Sequence, residues 1–456
     1  MNPHYLSRRD LLKLGIHAAT TAGALGTLGA FQRAMAASDT SGYKALVCLF
    51  LLGGNDGHNT LVPRDGTAYN TYAARRATLA LARESLLAIN PGNAGGQAYG
   101  LHGSVPGLQS LFESGRLAWV LNTGTLAVPT SVAQFRAQSV PLPLNLFSHN
   151  DQQQAWMTST PTSTEPYGWA GRINDLLRDQ GFNPQLSLNV SLTGSNLWQG
   201  GRKTLGYAMN ANGAAQFNAI RFGQNGGASG RRADAFRALL AQGRSDANLF
   251  TQEFAGVGQR AIDSAEFVTA GLASVGDPAT AFPSTPLGGQ LRMVARMIRA
   301  RGALQARRQM FFIGVGGYDT HDTQLRDQAA RLSDLSQCVK AFDDCMVESG
   351  ISNDVTLFSA ADFGRTLTTN GDGSDHGWGN HHFVVGGAVR GKSFYGSFPD
   401  LAANSADDGG DGRLVPRLAS DQYAATLARW WGVSDGDLDL VFPNLRNFNT
   451  RNLGFL

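Results

Sequence analysis

The feature that most limits the fold of this chain is an alternation of short apolar runs with longer helical patterns. Residues 45–52, 117–121, 310–315, 355–358 and 383–385 are apolar and bounded by glycine or turn residues. Runs this short read as strands covered on both faces. Between them, residues 105–114, 286–301, 323–348 and 422–431 repeat apolar side chains at helical spacing. Strand and helix in alternation predict an α/β fold, a doubly wound and mostly parallel sheet. Residues 186–285 interrupt the alternation with stretches rich in Gly, Asn and Ser, and are expected to form a cap or insertion over the sheet.

Polar residues cluster where the runs end. Residues 45–52 lead into Gly53-Gly54-Asn55-Asp56-Gly57-His58-Asn59, residues 310–315 into Gly316-Gly317-Tyr318-Asp319-Thr320-His321-Asp322, and residues 355–358 into Ala361-Asp362-Phe363-Gly364-Arg365-Thr366. The carboxyl ends of parallel strands line one crevice, so Asp56, Asp319 and Asp362 are expected to share a site. Two more motifs carry histidine: Ser148-His149-Asn150-Asp151, and Asp375-His376-Gly377-Trp378-Gly379-Asn380-His381-His382. Of nine histidines, His4 and His17 lie near the N-terminus, six fall in these motifs, and His102 alone lies elsewhere. Carboxylates with imidazoles suit zinc or manganese, and a carboxylate-heavy pocket also accepts calcium or magnesium. The competing explanation is structural: an aspartate after a strand caps the next helix, and a histidine sits satisfied in the core.

Ser148 is the candidate nucleophile, because the N-terminus of a helix favours an anion and eases ionisation of a hydroxyl there. Ser148 with Asp151 three residues on also reads as a capping box. Arg365 could offset charge on a transferring phosphoryl or sulfuryl group, or pair with a carboxylate. Asn370, Asp372 and Ser374 imitate the start of a calcium loop, but Asp375 replaces its glycine and His381 its closing glutamate. Asp407, Asp408 and Asp411 are expected in a solvated loop, and Trp430-Trp431 in packing of a helix on the sheet.

The N-terminus reads as an export signal. Ser7-Arg8-Arg9-Asp10-Leu11-Leu12-Lys13 precedes a weakly apolar stretch, and Ala34-Met35-Ala36 offers a cleavage site. A twin-arginine signal over residues 1–36, with residues 37–456 released to the periplasm or outside the cell, is the expectation. No later apolar run is long enough to span a bilayer. The formal charge of +3 is carried by the signal segment, leaving the remainder near zero and giving no hint of nucleic acid. Cys338 and Cys345 are seven residues apart on a predicted helix, about 10 Å along its axis, and no structural disulfide is expected.

Together GGNDGHNT, SHNDQQQAW, GGYDTHD, ADFGRT and DHGWGNHHFVVGGAV, in this order behind a twin-arginine signal, resemble the bacterial domain-of-unknown-function family 1501. The resemblance covers nearly the whole mature chain. That family in turn resembles the alkaline phosphatase and sulfatase superfamily, which holds one or two metals at the carboxyl edge of such a sheet and hydrolyses phosphate or sulfate esters. The resemblance implies an alkaline-phosphatase-like fold in which Asp56 matches the first-strand aspartate. Asp319 and His321 match one metal site, Asp362 the other, and His376 or His381 the late histidine. The superfamily usually has Asp-His where this chain has Asp362-Phe363, a departure that bears on the second metal.

The expected function is an exported metal-dependent hydrolase of small-molecule or polymer-borne phosphate or sulfate esters. The alternative is a catalytically degenerate member of the same fold, acting as an exported binding or assembly protein. An exported oxidoreductase is disfavoured, since neither a Gly-rich nucleotide fingerprint nor a haem-attachment cysteine pair is present.

Overall fold

The computed structural model describes residues 42–178, 181–214 and 227–456. The export signal expected over residues 1–36 lies outside the described residues. The strands, in chain order, are β1 (Lys44–Leu51), β2 (Leu61–Pro63), β3 (Leu87–Ile89), β4 (Tyr99–Leu101), β5 (Leu117–Gly124), β6 (Asn189–Ser191), β7 (Tyr207–Asn210) and β8 (Gly213–Ala214). They continue with β9 (Arg308–Val315), β10 (Val355–Ala361), β11 (Arg365–Thr369), β12 (Ser374–His376), β13 (Asn380–Gly386), β14 (Phe394–Tyr395) and β15 (Leu418–Ala419). The central sheet runs β14-β5-β13-β10-β1-β9-β6-β7-β8, with β15 also on β5. It is mostly parallel; β13 runs against both β10 and β5, and β8 against β7.

The five apolar runs are the five central strands, and all four predicted helices form. Alternation along β1 sends its side chains to both faces. Val47, Leu49 and Leu51 pack with Leu291 and Val294 of the helix Pro286–Arg299 and with Leu332 and Leu335 of the helix Gln324–Glu348. Leu46, Cys48 and Phe50 pack on the other face with Trp156, Trp169 and Tyr423. Each such side chain contributes roughly 1.5–3 kcal/mol by leaving water, so layers of helix clamp the strands from both sides. Trp431 is fully buried and donates its indole N–H to the Gln309 carbonyl (3.2 Å), fixing the last long helix to β9.

The stretch 186–285 divides rather than forming one cap. Its first part supplies β6, β7 and β8 to the sheet edge, and its second forms the helices Gly227–Gly243 and Leu249–Ala273. A second difference concerns Asp407 and Asp408, which are buried rather than solvated. Asp407 pairs with Arg417 at 2.6 Å, and Asp408 accepts from Arg75 at 3.1 Å and from the Gly410 and Gly412 amides. Asp411 is exposed as expected. The three cysteines are buried and free.

Register explains why distant loops meet. Leu51 at the end of β1 lies beside Val315 of β9 and Ala361 of β10. The three chains therefore leave the sheet together, Asp362 one residue and Asp319 four residues past their strands. Gly53 allows the approach: its φ is +109°, and a Cβ there would stand 2.4 Å from the Asp319 amide nitrogen. A side chain is excluded by both backbone conformation and space.

Candidate metal centre

Three elements carry the side chains that converge beside β1. The loop after β9 brings Asp319 and His321. The hairpin of β11 and β12 sets His376 opposite Arg365. The helix His149–Thr158 brings His149 on its first residue.

Asp319 is the centre of the group. Its Oδ1 lies 3.0 Å from His321 Nε2 and 3.2 Å from His376 Nε2, and its Oδ2 lies 3.3 Å from His149 Nε2. The His321 and His376 Nε2 atoms are themselves 3.0 Å apart. Ligand atoms of His149, Asp319 and His376 all fall within 4.8 Å of one another. Tetrahedral ligands at about 2.0–2.1 Å from zinc stand about 3.3 Å apart, close to the 3.0–3.3 Å at which the three imidazoles stand from Asp319.

The opposite ring nitrogens are held in the way that metal-ligating imidazoles require. His376 Nδ1 donates to the Phe147 carbonyl at 2.7 Å, which leaves Nε2 to face the centre. His149 Nδ1 meets Asp362 Oδ2 at 2.7 Å, a carboxylate–imidazole pair that likewise turns Nε2 inward. His149 Nε2 is buried and faces only the Asp319 carboxylate, at 3.3 Å. A metal ion held by both would take the place of this ion pair, with the imidazole neutral. His149, His376 and Asp319, with His321 beside Asp319, are chemically suited to a divalent transition metal.

Charge is unevenly distributed over the group. Burial works against ionisation of Asp319, but the Arg365 hydrogen bond and charge, with the charges of His321 and His149, outweigh it and hold the carboxyl below its usual range. The hydrogen bond to Asp362 raises His149 despite burial. His376 is lowered, chiefly by burial and then by the charges of Arg365 and His149, against the pull of the Phe147 carbonyl. A neutral His376 is a ready ligand.

The other residues singled out in the sequence lie around this group in different roles. Asp362 is fully buried and supports His149 rather than standing beside Asp319. Its Oδ2 also accepts from Gln153 Nε2 at 2.9 Å and the Gly53 amide at 3.2 Å, while Oδ1 is buried without a partner. Asp56, expected with the other aspartates, is not in the group. Its Oδ1 caps a short helix through the His58 and Asn59 amides (3.0 and 3.1 Å), and its Oδ2 takes Gln324 Nε2 at 2.6 Å and Arg76 Nη2. With four donors supplied by the chain, that carboxylate gains little from a metal.

His381 is also elsewhere. Its ring stacks on Phe398 at 5.0 Å, its Nδ1 accepts from the Asn122 amide at 3.2 Å, and burial holds it well below the usual imidazole range. Arg365 is buried and committed to Asp319 (2.6 Å), the Gly53 carbonyl (3.2 Å) and the Ser374 carbonyl, so it orders the loops. Ser148 stands at the N-cap position yet makes no capping bond, because its hydroxyl donates to Asp151 Oδ2 at 2.6 Å. Neither the capping box nor a hydroxyl aimed at the imidazoles is formed. Asn370 and Asp372 tie the β11–β12 turn to the loop after β9, through the His321 carbonyl (3.1 Å) and the Thr323 amide (3.0 Å).

Sequence reasoning selected Ser148 and passed over its neighbour His149. The available signal was the concentration of histidines in a few polar motifs, of which the one before the helix His149–Thr158 holds His149. Phe363, the residue after Asp362, packs against His149 and His376 with ring centroids 4.9 and 4.7 Å away. It forms an apolar wall under both imidazoles.

Residues 251–416 match the family model described as Protein of unknown function (DUF1501). No curated protein matches this sequence. Among solved structures, the lipoteichoic acid synthase LtaP from Listeria monocytogenes is similar at 10% identity over 90% of this chain and 77% of that one, with a TM-score of 0.35. Ps i-CgsB in complex with k-i-k-neocarrahexaose is similar at 10% identity over 90% and 78%, with a TM-score of 0.35. PsFucS1 sulfatase from Pseudoalteromonas sp. is similar at 11% identity over 94% and 73%, with a TM-score of 0.32. Among the described residues no helix is long and apolar enough to cross a membrane.

Proposed function

We propose that this chain is an exported metal-dependent hydrolase of phosphate or sulfate esters that works with a single metal ion. His149, Asp319, His321 and His376 would hold the ion, and the imidazole-rich set favours zinc or manganese over calcium. The observation that carries this reading is the convergence of His149 and His376 on the Asp319 carboxylate, each with its Nδ1 held from outside the group so that Nε2 faces inward. Phe363 supports one ion rather than two, because an apolar ring occupies the sequence position where the superfamily usually has a histidine ligand. When bound, a metal there supplies Lewis-acid polarisation of ester oxygens. The chain's own contribution is positional: Asp362 and the Phe147 carbonyl hold two imidazoles in register, and Arg365 keeps Asp319 ionised. The export reading rests on residues 1–36, with delivery to the periplasm or beyond.

A second reading has its own support. Arg365 and Ser148 are both committed to partners within the chain, which favours a protein that holds a metal to brace loops or bind a ligand without turnover.

The test is elemental analysis of the purified mature chain beside a His149→Ala, His376→Ala variant, followed by a panel of phosphate and sulfate esters. One equivalent of metal in the wild type, lost in the variant together with hydrolysis, is the expected result. Metal without hydrolysis of any ester selects the second reading, and a folded, metal-free wild type refutes both.

A further inference from the structure

The helices Gly227–Gly243 and Leu249–Ala273 fold back on one another as a hairpin with a small core of its own, Leu240, Ala255 and Ile262. Of the ten large hydrophobic side chains exposed among the described residues, five lie on this hairpin: Leu239, Leu249, Phe250, Phe254 and Val257. Phe250, Phe254 and Val257 follow helical spacing and form one stripe, exposed by 88%, 75% and 51%. The stripe runs toward a groove of about 470 Å³, whose walls include Leu186, Leu205, Tyr207, Val257, Ala261 and Ala265. The bulky and the small halves of one apolar surface thus lie in sequence along a single helix.

We propose that this surface pairs two copies of the chain about a two-fold axis, each placing Phe250 and Phe254 in the groove of the other. A two-fold interface requires a patch complementary to itself, and this one is. Glu253 flanks the phenylalanines and Arg260 flanks the groove; within one copy they pair at 2.8 Å while remaining 71% and 65% exposed. In an antiparallel pair with Glu253 opposite the second copy's Arg260, Phe250 falls over the stretch between Ala261 and Ala265, where small side chains leave room. Residues 227–273 contain five arginines and five acidic residues. A hairpin without net charge has no electrostatic pull toward anionic lipid or nucleic acid, and it does not repel its own copy. The stripe and groove walls amount to on the order of 600 Å² per copy, or roughly 1,200 Å² for the pair, the lower end of stable interfaces.

The test is sedimentation velocity on the full mature chain over a concentration series. The expected wild type is a dimer in reversible equilibrium, and Phe250→Glu with Phe254→Glu gives a monomer with unchanged melting temperature and metal content. Glu253→Arg or Arg260→Glu alone weakens association at least about tenfold, and the two together restore it. A wild type monomeric at every concentration, or a dimer indifferent to the double glutamate variant, overturns the proposal. Binding of the monomer to neutral phospholipid vesicles, lost in that variant, also overturns it and assigns the stripe to a lipid surface.

Discussion

Replacing Asp421 by Asn should remove a pH dependence of stability that this one side chain imposes. Asp421 is the second residue of the helix Ser420–Trp431, is fully buried, and has no hydrogen-bond partner on either carboxylate oxygen. Burial pushes its carboxyl from the ordinary 3.8 up to about 8, against the opposing pull of Arg172 and the nearby Ser159 hydroxyl. Below pH 4 the group is protonated in folded and unfolded chains alike and contributes no slope. Between pH 4 and pH 8 the unfolded chain releases the proton while the folded chain keeps it, so stability falls as pH rises. The slope is about 1.4 kcal/mol per pH unit, giving roughly 4 kcal/mol by pH 7 and levelling off above pH 8. An amide of the same shape has no proton to release. Whatever its unpartnered N–H groups cost is the same at every pH. Urea denaturation at pH 4, 5.5, 7 and 8.5 should therefore show the difference between variant and wild type growing in the variant's favour across that window. For a chain of this size the corresponding change in Tm is about 1 °C per kcal/mol. Two curves that stay parallel from pH 4 to pH 8.5 would refute the argument, since every other titrating group is common to both proteins.

Three further outcomes separate the roles assigned around the centre. Asp362→Asn keeps the shape under His149 but removes its charge, and should weaken metal binding about 10- to 100-fold with the fold intact, measured by competition with a chelator. Arg76→Ala leaves Asp56 buried and unpaired, and should cost about 3–5 kcal/mol in urea denaturation while metal per folded molecule stays unchanged. Gly53→Ala places a methyl against the Asp319 amide in a left-handed backbone, so it should lower both stability and metal affinity. A circular-dichroism melt and elemental analysis on one preparation read the two effects together.

How much of this was legible in the sequence follows from how far each cause reaches along the chain. Strands and helices declare themselves locally, because burial on one or both faces imposes a period, and β1, β9 and β10 with their flanking helices appeared where the pattern placed them. The division of 186–285 between sheet strands and a helical hairpin did not, since β6 and β8 are three and two residues long and carry no period to read. Parallel topology brought Asp319 and His321 beside the chain that leaves β10, and the antiparallel hairpin of β11 and β12 carried His376 to them. It could not say that the first residue of the helix His149–Thr158 would be the third imidazole, because that depends on where a helix from another part of the chain begins.

Asp56 and Asp362 show the limit most clearly, for each follows its strand into the same crevice and neither joins the group around Asp319. What divides them from it is the set of donors that the rest of the fold delivers. Asp56 meets a guanidinium twenty residues on and an amide 268 residues on, and with two backbone amides its charge is answered inside the protein. Asp362 meets an imidazole 213 residues before it, keeps one oxygen bare, and so transmits its charge through His149 to the centre. Asp319 receives Arg365 and the Nε2 atoms of three histidines, and is 42% exposed. An aspartate at a strand end is therefore a ligand, a support or a cap according to how many cations and N–H groups the distant chain brings to it, and that number is a property of tertiary packing.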